Sequence, residues 1–325
     1  MKVLVTGANG FLATNVIVEL LTKNYSVVGL LRDVNKFQYH HHPNLRLVEG
    51  DITSPGLFES AVKDCNFIIH IAAITEQNLP HYHQYKKVNV EATELLLDLA
   101  LKYGVKKIIY VSTANTLGFG TKNKPGNEKM EIRYPFTKSN YALSKLRGQH
   151  IAFSYQDKLD VVVVNPTFML GRYDSKPSSG QIIMMGYNKK FIFYPPGGKN
   201  FVHVKDVASG IINALENGRN GESYLLANEN LSYLEFFRKL SDITHHKPVY
   251  VRIPVIILVF VGFIGSLMRF FGIKTNLSLT NMQAICINNY FDNKKAQEQL
   301  GLSFQSIENA IDDALDWFKQ KKMIK

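Results

Sequence analysis

Cysteine is scarce in this sequence, and its scarcity removes several classes of protein. Only two of the 325 residues are cysteine, Cys65 and Cys286, and they lie far apart in the chain. Two cysteines are too few for a disulfide scaffold or a cysteine-based zinc site. The chain therefore suits a reducing compartment, and we expect it in the cytoplasm.

Proline and glycine are scattered rather than clustered, with 11 and 22 residues respectively. The chain is 46% hydrophobic and 20% charged, which is the composition of a globular protein. Disordered, collagen-like and coiled-coil chains are thereby excluded. At about 150 residues per domain, the length predicts two domains or one large α/β unit.

Acidic residues are fewer than basic ones, 27 against 38, and the net charge is +11. Such an excess favours anionic partners: nucleotides, nucleic acid or an acidic membrane surface. The cations are spread along the chain, however, without a basic helix, an RNA-binding aromatic motif or a zinc finger. We therefore expect no nucleic-acid partner. We also expect no metal site, since His40, His41 and His42 lie in a segment typical of a solvated loop.

The apolar stretch Ile253–Met268 carries no charge but spans only 16 residues between Arg252 and Arg269. A membrane span takes about 20 residues, and the apolar run at the N-terminus is too short for a signal peptide. One interpretation is a buried helix of the substrate domain. The other is a cap that touches both the substrate and an anionic membrane surface. The second predicts peripheral contact with the inner membrane face and a bulky, lipid-like or steroid-like substrate.

Short apolar segments alternate with helical patterns in the first half of the chain. The predicted strands are Val3–Val5, Val27–Leu31, Leu45–Val48, Phe67–Ile71, Ile108–Val111 and Val161–Val164. The clearest helical patterns are Phe11–Leu21, Glu91–Leu101 and Tyr141–Phe153. Strands that are apolar throughout and separated by helices predict an α/β fold, a doubly wound parallel sheet with both faces covered.

The alternation breaks after Pro166. Residues 166–200 are typical of loops, residues 201–215 of one more strand and helix, and Tyr224–Leu226 of another strand. Beyond Leu231 the pattern is mainly helical. We therefore predict a Rossmann-type domain over residues 1–165, to which residues 201–225 return. Residues 166–325 are expected to form a smaller, mainly helical substrate domain.

A glycine-rich turn joins the first strand to the first helix. It reads Thr6-Gly7-Ala8-Asn9-Gly10-Phe11-Leu12-Ala13. Its glycines permit a tight turn and let backbone N–H groups approach a pyrophosphate, while the helix N-terminus offers partial positive charge. A turn without a ligand is the alternative. The position at a strand–helix junction favours dinucleotide binding by Gly7, Asn9, Gly10, Phe11 and Leu12.

The residue that ends the second strand selects the cofactor. An acidic group there binds the ribose of NAD, whereas an arginine can hold the 2′-phosphate of NADP. Arg32 stands at this position, followed by Asp33, which would repel a phosphate if it pointed inward. We predict NADP(H), with NAD(H) as the alternative. Asp51 and Ile52 are placed at the adenine, although Asp51 can also cap the next helix.

A tyrosine with a lysine four residues later puts both side chains on one face of a helix. Tyrosine has a reference pKa of about 10, so proton transfer near neutrality needs a nearby cation. The spacing occurs at Tyr82/Lys86, Tyr103/Lys107, Tyr134/Lys138, Tyr141/Lys145 and Tyr290/Lys294. Gly104 interrupts the second pair and Pro135 the third, and the first and last lie away from the fifth strand. Tyr141 and Lys145 are therefore the predicted pair.

The fifth strand ends at Ser112 and Thr113, which places two hydroxyls at the carboxyl edge of the sheet. Ligands bind at this edge in open α/β sheets. Thr113 or Ser112 is expected to hydrogen-bond a substrate oxygen beside Tyr141. The alternative is that both hydroxyls cap a turn.

Taken together, these motifs resemble an extended short-chain dehydrogenase/reductase, of the NAD-dependent epimerase/dehydratase superfamily. The resemblance is strongest to its dihydroflavonol-reductase-like and hydroxysteroid-dehydrogenase-like group. Further motifs that carry it are His70-Ile-Ala72-Ala73, Asn89-Val-Glu-Ala-Thr93, Asn165-Pro166-Thr167 and Phe201-Val-His-Val-Lys-Asp206. Ala13 departs from the usual third glycine.

The resemblance implies a role for each matched residue. Tyr141 would donate the proton, Lys145 would hold the nicotinamide ribose and lower the pKa of the tyrosine, and Thr113 would polarise the substrate oxygen. Ala72 and Ala73 match the family's motif after the fourth strand and are expected at the cofactor. Pro166 and Thr167 would border the nicotinamide.

The sequence thus predicts an NADP(H)-dependent enzyme that interconverts a ketone and a secondary alcohol on a small-molecule substrate. A nucleotide-sugar epimerase or dehydratase with tightly bound NAD is the alternative, although the segment Phe191–Asn200 lacks the arginine-rich pattern that grips a diphosphate. A dinucleotide-binding regulator without turnover is a third. Whether the chain forms a homodimer is left open.

Overall fold

The computed structural model describes residues 1–39 and 41–324. Its strands are β1 Lys2–Thr6, β2 Ser26–Leu31, β3 Leu45–Glu49, β4 Phe67–His70, β5 Lys107–Val111, β6 Asp160–Pro166, β7 Phe168–Leu170, β8 Phe191–Tyr194, β9 Gly198–His203, β10 Ser223–Leu226, β11 Glu229–Ser232, β12 Val249–Arg252 and β13 Asn288–Asn289. Its helices are α1 Phe11–Thr22, α2 Pro55–Lys63, α3 Tyr82–Lys86, α4 Ala92–Lys102, α5 Asn140–Ser154, α6 Gln181–Gly186, α7 Val204–Asn217, α8 Tyr233–Ile243, α9 Val255–Phe270, α10 Leu279–Ala284, α11 Lys294–Leu300 and α12 Ile307–Gln320.

The predicted doubly wound parallel sheet is confirmed. Seven strands of the described chain pair in the order β10-β6-β5-β4-β1-β2-β3, and every pair is parallel. The chain runs outward from β1 to β3 and then returns to β4 on the other side of β1. The resulting crevice between β1 and β4 is a topological switch point, where open α/β sheets bind their ligands.

Both faces of this sheet are covered because successive side chains of a strand point to opposite sides. Val3 and Val5 face the cluster built with α1 and α7, and Leu4 faces the cluster built with α2 and α4. All three are fully buried. Strands that are buried on both faces need apolar residues at every position, which explains the continuous apolar runs of the sequence.

Beyond Pro166 the structure contains more strands than the sequence suggests. Residues 166–200 hold β7, α6, β8 and the start of β9, where we expected loops. Strand β9 pairs with β7, β11 and β13 in a second sheet, whereas α7 packs on α1 and β10 joins the main sheet. The strand and helix predicted over residues 201–215 therefore belong to different parts of the fold. The strand is the end of β9 in the second sheet, and the helix, α7, packs against the main sheet.

Helix α9 is largely exposed, and the expectation of a buried helix over Ile253–Met268 is wrong. Only Leu258, Gly262 and Gly265 are buried. These three positions form one narrow stripe, on which α10 and the segment before it pack. Most of the remaining apolar side chains are exposed, and Val261 and Met268 are half-buried. Within the described chain, no helix has both the length and the apolar character needed to cross a membrane.

Candidate active site

The glycine-rich turn between β1 and α1 leaves little room for side chains. Gly7 has a φ of +71°, and a Cβ there would lie 3.0 Å from the Ala72 Cα atom. The Gly10 amide donates to the Gly7 carbonyl (2.8 Å), and no side chain caps α1 at Gly10. Amides of the first helical turn lack partners within the helix. The close-packed backbone and free amides of this turn suit a pyrophosphate, and its binding by Asn9, Gly10, Phe11 and Leu12 stays a prediction.

A chain of buried hydrogen bonds crosses the crevice between β1 and β4. Thr93 Oγ1 donates to the Asn89 carbonyl (3.1 Å), so it accepts from His70 Nε2 (3.0 Å). The other ring nitrogen, Nδ1, then accepts from Thr6 Oγ1 (2.8 Å). Burial, with the charge of Lys145, lowers the pKa of His70 to about 3. The imidazole is therefore a neutral support with a fixed tautomer.

Hydrogen bonds along its length hold the loop of residues 71–80, which follows β4. The Ala72 amide donates to Thr6 Oγ1 (3.0 Å), and the Ile74 amide donates to Asn89 Oδ1 (2.8 Å). Further along, the Gln77 carbonyl accepts from the guanidinium of Arg269 at the end of α9. Ala72 thus borders the glycine turn on a fixed segment, and the half-buried Ala73 follows it in the chain.

Arg32 is exposed just beyond β2, at the same edge of the sheet. The carboxylate of Asp33 points into the short helical turn that follows it. There it accepts a hydrogen bond from the Asn35 amide (3.1 Å) and pairs with Lys36 (2.6 Å). The Lys36 hydrogen bond is the main cause that lowers the pKa of Asp33. The repulsion that an inward-pointing Asp33 would cause is therefore absent.

Asp51 lies near Arg32, but its carboxylate is already engaged. Asp51 Oδ1 accepts from the Thr53 amide (2.8 Å) and from Thr53 Oγ1 (2.7 Å), and these bonds lower the pKa of Asp51. The Ile52 side chain is buried in the core. Asp51 Oδ2 and the backbone are the parts of these two residues that are left to bind an adenine.

Tyr141 and Thr113 meet at the carboxyl edge of the sheet, on α5 and after β5. Burial raises the pKa of Tyr141 to about 12, and a hydrogen bond with Thr113 acts in the opposite direction. Thr113 also caps a short turn by accepting from the Asn115 amide (3.3 Å). The turn-capping role of Thr113 is therefore present, and its hydrogen bond to a substrate oxygen stays a prediction. Ser112 Oγ, by contrast, is buried with no hydrogen-bond partner.

Lys145 lies one helical turn after Tyr141 and is only 2% exposed. Its Nζ is 4.2 Å from the centroid of the Tyr110 ring, and burial lowers its pKa to about 7. A Cβ added at Gly148 would lie 2.3 Å from the Tyr110 hydroxyl, so α5 packs closely at this point. The structure thus places Lys145 Nζ against the Tyr110 ring, one helical turn along α5 from Tyr141.

The other four tyrosine–lysine pairs do not form comparable sites. Lys107 is in strand β5, and Tyr134 precedes a cis proline. Lys294 begins helix α11, whereas Tyr290 lies directly after strand β13, so this pair does not share a helix. Tyr82 and Lys86 do share α3, but Lys86 is exposed and pairs with Glu91. Only Tyr141 and Lys145 lie together at the switch-point edge.

A cleft of about 100 Å³ opens beside Thr113, between the main sheet and the second sheet. Pro166 and Thr167 line it at the end of β6. Thr167 Oγ1 donates to Asn200 Oδ1 (2.7 Å), which fixes this corner to β9. The remaining lining residues are Gln77, Ala114, Asn115, Phe168, Lys199, Asn200, Asn289 and Phe291.

Several residues that shape the site were not predicted as such. Asn89 Nδ2 donates to Ser144 Oγ (2.9 Å), and Asn165 Nδ2 donates to the Thr113 carbonyl (3.2 Å) and to Gln149 Oε1 (3.2 Å). One signal was available: Tyr141, Ser144, Lys145 and Gln149 place polar groups at helical spacing on a face that must be buried. Lys199 and Asn289 gave no local signal.

Comparison with known proteins identifies the family. The family model for the NAD dependent epimerase/dehydratase family matches residues 3–227. The chain belongs to this family, within the extended short-chain dehydrogenase/reductases, and it is an NAD(P)-dependent oxidoreductase. It therefore uses a nicotinamide cofactor.

Individual relatives extend over the whole chain. The "Putative dihydroflavonol 4-reductase" of Synechocystis sp. is 27% identical over 335 residues, covering 99% of this chain and 95% of that protein. Sterol demethylase protein B of Methylococcus capsulatus is 25% identical over 330 residues, covering 100% of both. The crystal structure of gox2253 superimposes with a TM-score of 0.84 and 31% identity, covering 100% of this chain and 99% of that one.

Within the described residues, no group of three or more His, Cys, Asp or Glu side chains is placed to hold a metal ion. His41 and His42 lie in the loop before β3. The third histidine of that run, His40, lies outside the described residues.

Proposed function

We propose that the protein interconverts a ketone and a secondary alcohol on a bulky, largely apolar substrate, with NADP(H) as cofactor. The observation that carries this is the placement of Thr113, Tyr141 and Lys145 at the switch-point edge, next to the glycine turn. A hydroxyl from the segment after β5 lies there with an acid and a cation that α5 carries one helical turn apart. Such convergence of a proton donor, its cation and a hydrogen-bond donor supports acid–base chemistry on an oxygen.

The chain's own residues account for the proton. Thr113 Oγ1 and the Tyr141 hydroxyl both hydrogen-bond the substrate oxygen, and Tyr141 gives its proton as that oxygen becomes an alkoxide. The positive charge of Lys145 stabilises the tyrosinate that is left. The bound nicotinamide supplies or accepts the hydride at the carbonyl carbon. In the alcohol-to-ketone direction Tyr141 takes the proton back.

The cofactor residues suit NADP(H). The glycine turn would hold the pyrophosphate, Arg32 the 2′-phosphate, and Pro166 with Thr167 the nicotinamide. Asp33 supports this choice because Lys36 and Asn35 occupy its carboxylate. We assign residues 1–165 and the return through α7 and β10 to the cofactor side, and the remainder to the substrate side.

A nucleotide-sugar epimerase or dehydratase would use the same tyrosine and lysine with NAD. Among the described residues, the cleft contains only one cation, Lys199, and a diphosphate needs more. The deciding experiment releases the cofactor from purified protein, identifies it, and then follows NADPH oxidation with steroid, flavonoid, long-chain keto and sugar-nucleotide carbonyls. We expect NADPH turnover on the apolar ketones. Stoichiometric bound NAD with sugar-nucleotide turnover would contradict the proposal.

The exposed face of α9 supports a second proposal, peripheral binding to an anionic membrane surface. Its exposed apolar side chains are Val255, Ile256, Ile257, Val259, Phe260, Phe263, Ile264, Leu267 and Phe270. Ile256 is 77% exposed and Phe270 82%. Arg252 and Lys274 are exposed at its two ends, and the net charge is +11. An apolar helix flanked by cations is suited to lie in the interface of an anionic bilayer.

Sedimentation with vesicles tests this proposal. We expect the protein to sediment with phosphatidylglycerol-containing vesicles at low salt, and Phe260→Ser with Phe263→Ser to abolish it. Met185→Ser, which removes an exposed apolar side chain elsewhere, is the matched control. Protein that stays in the supernatant contradicts the proposal. A dimer that the α9 variants dissociate would show instead that the face binds a second copy.

A further inference from the structure

Lys199 is a cation without a carboxylate partner in the cleft beside Thr113. Three other partly buried lysines of the described chain are paired: Lys107 with Asp160, Lys239 with Glu229 and Lys295 with Glu222. No such ion pair forms at Lys199 in the part of the chain that the structure describes. Its Nζ lies 4.9 Å from the centroid of the Phe168 ring, on the wall of the cleft.

Keeping this charge in the cleft has a free-energy cost. Burial lowers the pKa of Lys199 to about 8, well below that of a solvated lysine. An unpaired cation at such a position is commonly retained because it binds a ligand of opposite charge. Lys145 is also unpaired, but its position beside Tyr141 gives it a role in the reaction. Lys199 has no such role.

Asn289 stands next to Lys199 on the neighbouring strand. The two residues are register partners of β13 and β9, so their side chains project from the same face of the second sheet, and both line the cleft. Asn289 Oδ1 is buried without a hydrogen-bond partner. Rotation of the amide by about 180° exchanges Oδ1 and Nδ2, which lets the group donate a hydrogen bond to an anion.

We propose that Lys199 and Asn289 bind a carboxylate of the substrate, so that the substrate is an amphipathic keto or hydroxy acid. One ammonium and one amide match the single charge and two oxygens of a carboxylate. A phosphate or diphosphate would leave negative charge uncompensated in the cleft. Phe168 and Phe291 line the same cleft and suit the apolar part of the substrate. This inference rests on the proposed ketone reduction and defines its substrate class.

The test compares a long-chain keto acid with its methyl ester and with a keto alkyl phosphate of the same length. For the keto acid we expect Lys199→Met to raise KM by at least ~10-fold, the effect of losing a hydrogen bond to a charged group, while kcat changes little. Lys199→Arg should restore most of the loss, and KM for the ester should not change. Lys158→Met, an exposed lysine beyond α5, is the matched control.

Each outcome has one meaning. An equal effect of Lys199→Met on acid and ester would show a structural role and overturn the inference. A wild-type KM that is lowest for the phosphate would assign the site to phosphate, and one that is lowest for the ester would exclude an anion. If neither acid nor ester is reduced, while the sugar-nucleotide carbonyls are, the proposed function itself has failed.

Discussion

Helices α5 and α9 show opposite departures from the usual relation between polarity and burial. On α5, Ser144 and Lys145 are 0% and 2% exposed although both are polar. On α9, Phe260 and Phe263 are 64% and 63% exposed although both are apolar. Burying an ammonium costs free energy, and large exposed apolar patches are rare on monomers. Each departure fits a binding surface that we propose: the cofactor site for α5, and a membrane for α9.

The contrast also separates two uses of a helix. The polar groups of α5 are fixed by Asn89 and Asn165, so the face has one geometry. On α9, α10 and the segment before it pack along Leu258, Gly262 and Gly265, and the exposed apolar face fixes no geometry above it. Catalysis needs side chains that are held in one geometry, as on α5. Binding to a fluid membrane surface needs only an exposed apolar face, as on α9.

The largest effect is expected from Tyr141→Phe, which removes the proton donor of α5 and little volume. Turnover should fall at least ~100-fold, the usual contribution of a general acid. Cofactor affinity should change little, since the ring and Lys145 remain. Steady-state kinetics with NADPH, together with fluorescence titration of NADPH, measures both.

Tyr82→Phe is the matched control for that change. Tyr82 has the same spacing to a lysine on α3, but it lies outside both the cleft and the catalytic edge. Its turnover should equal that of the wild type. A Tyr141→Phe enzyme that also keeps wild-type turnover would exclude Tyr141 from the reaction.

A smaller effect separates the two faces of α9. Leu258→Ala should lower the free energy of unfolding by about 2–4 kcal/mol because it opens a cavity under the helix. Phe260→Ala, two residues on and exposed, should change it by less than about 0.5 kcal/mol. Urea denaturation followed by circular dichroism measures both. Equal losses at the two positions would mean that the outer face of α9 is covered in solution.

The sequence predicted the main sheet well because its signals are local. Each strand that is buried on both faces is a continuous apolar run, and the glycine turn and Tyr141 with Lys145 lie within single segments. The second sheet was missed because β9 pairs with β13, about ninety residues away, through two residue positions only. Lys199 and Asn289 become neighbours through that pairing, so no local pattern joins them.

The exposure of α9 could not be predicted for a related reason. The sequence of an apolar helix does not show whether protein or lipid covers it. How much of the helix is buried by protein depends on the size of the element that packs on it. Helix α10, with six residues, covers one stripe. Similarly, the tautomer of His70 depends on Thr6 and Thr93, which come from distant segments.

The bond between Arg269 and the Gln77 carbonyl has a mechanical consequence. The loop of residues 71–80 is anchored at Thr6 and Asn89 on one side, and on the other side its tie is a side chain at the end of α9. Gln77 lines the cleft beside Thr113. Asn281 of α10 donates to the same carbonyl, so the α9–α10 pair is joined to the rim of the cleft by two side chains. A displacement of this helix pair would therefore be passed on to Gln77.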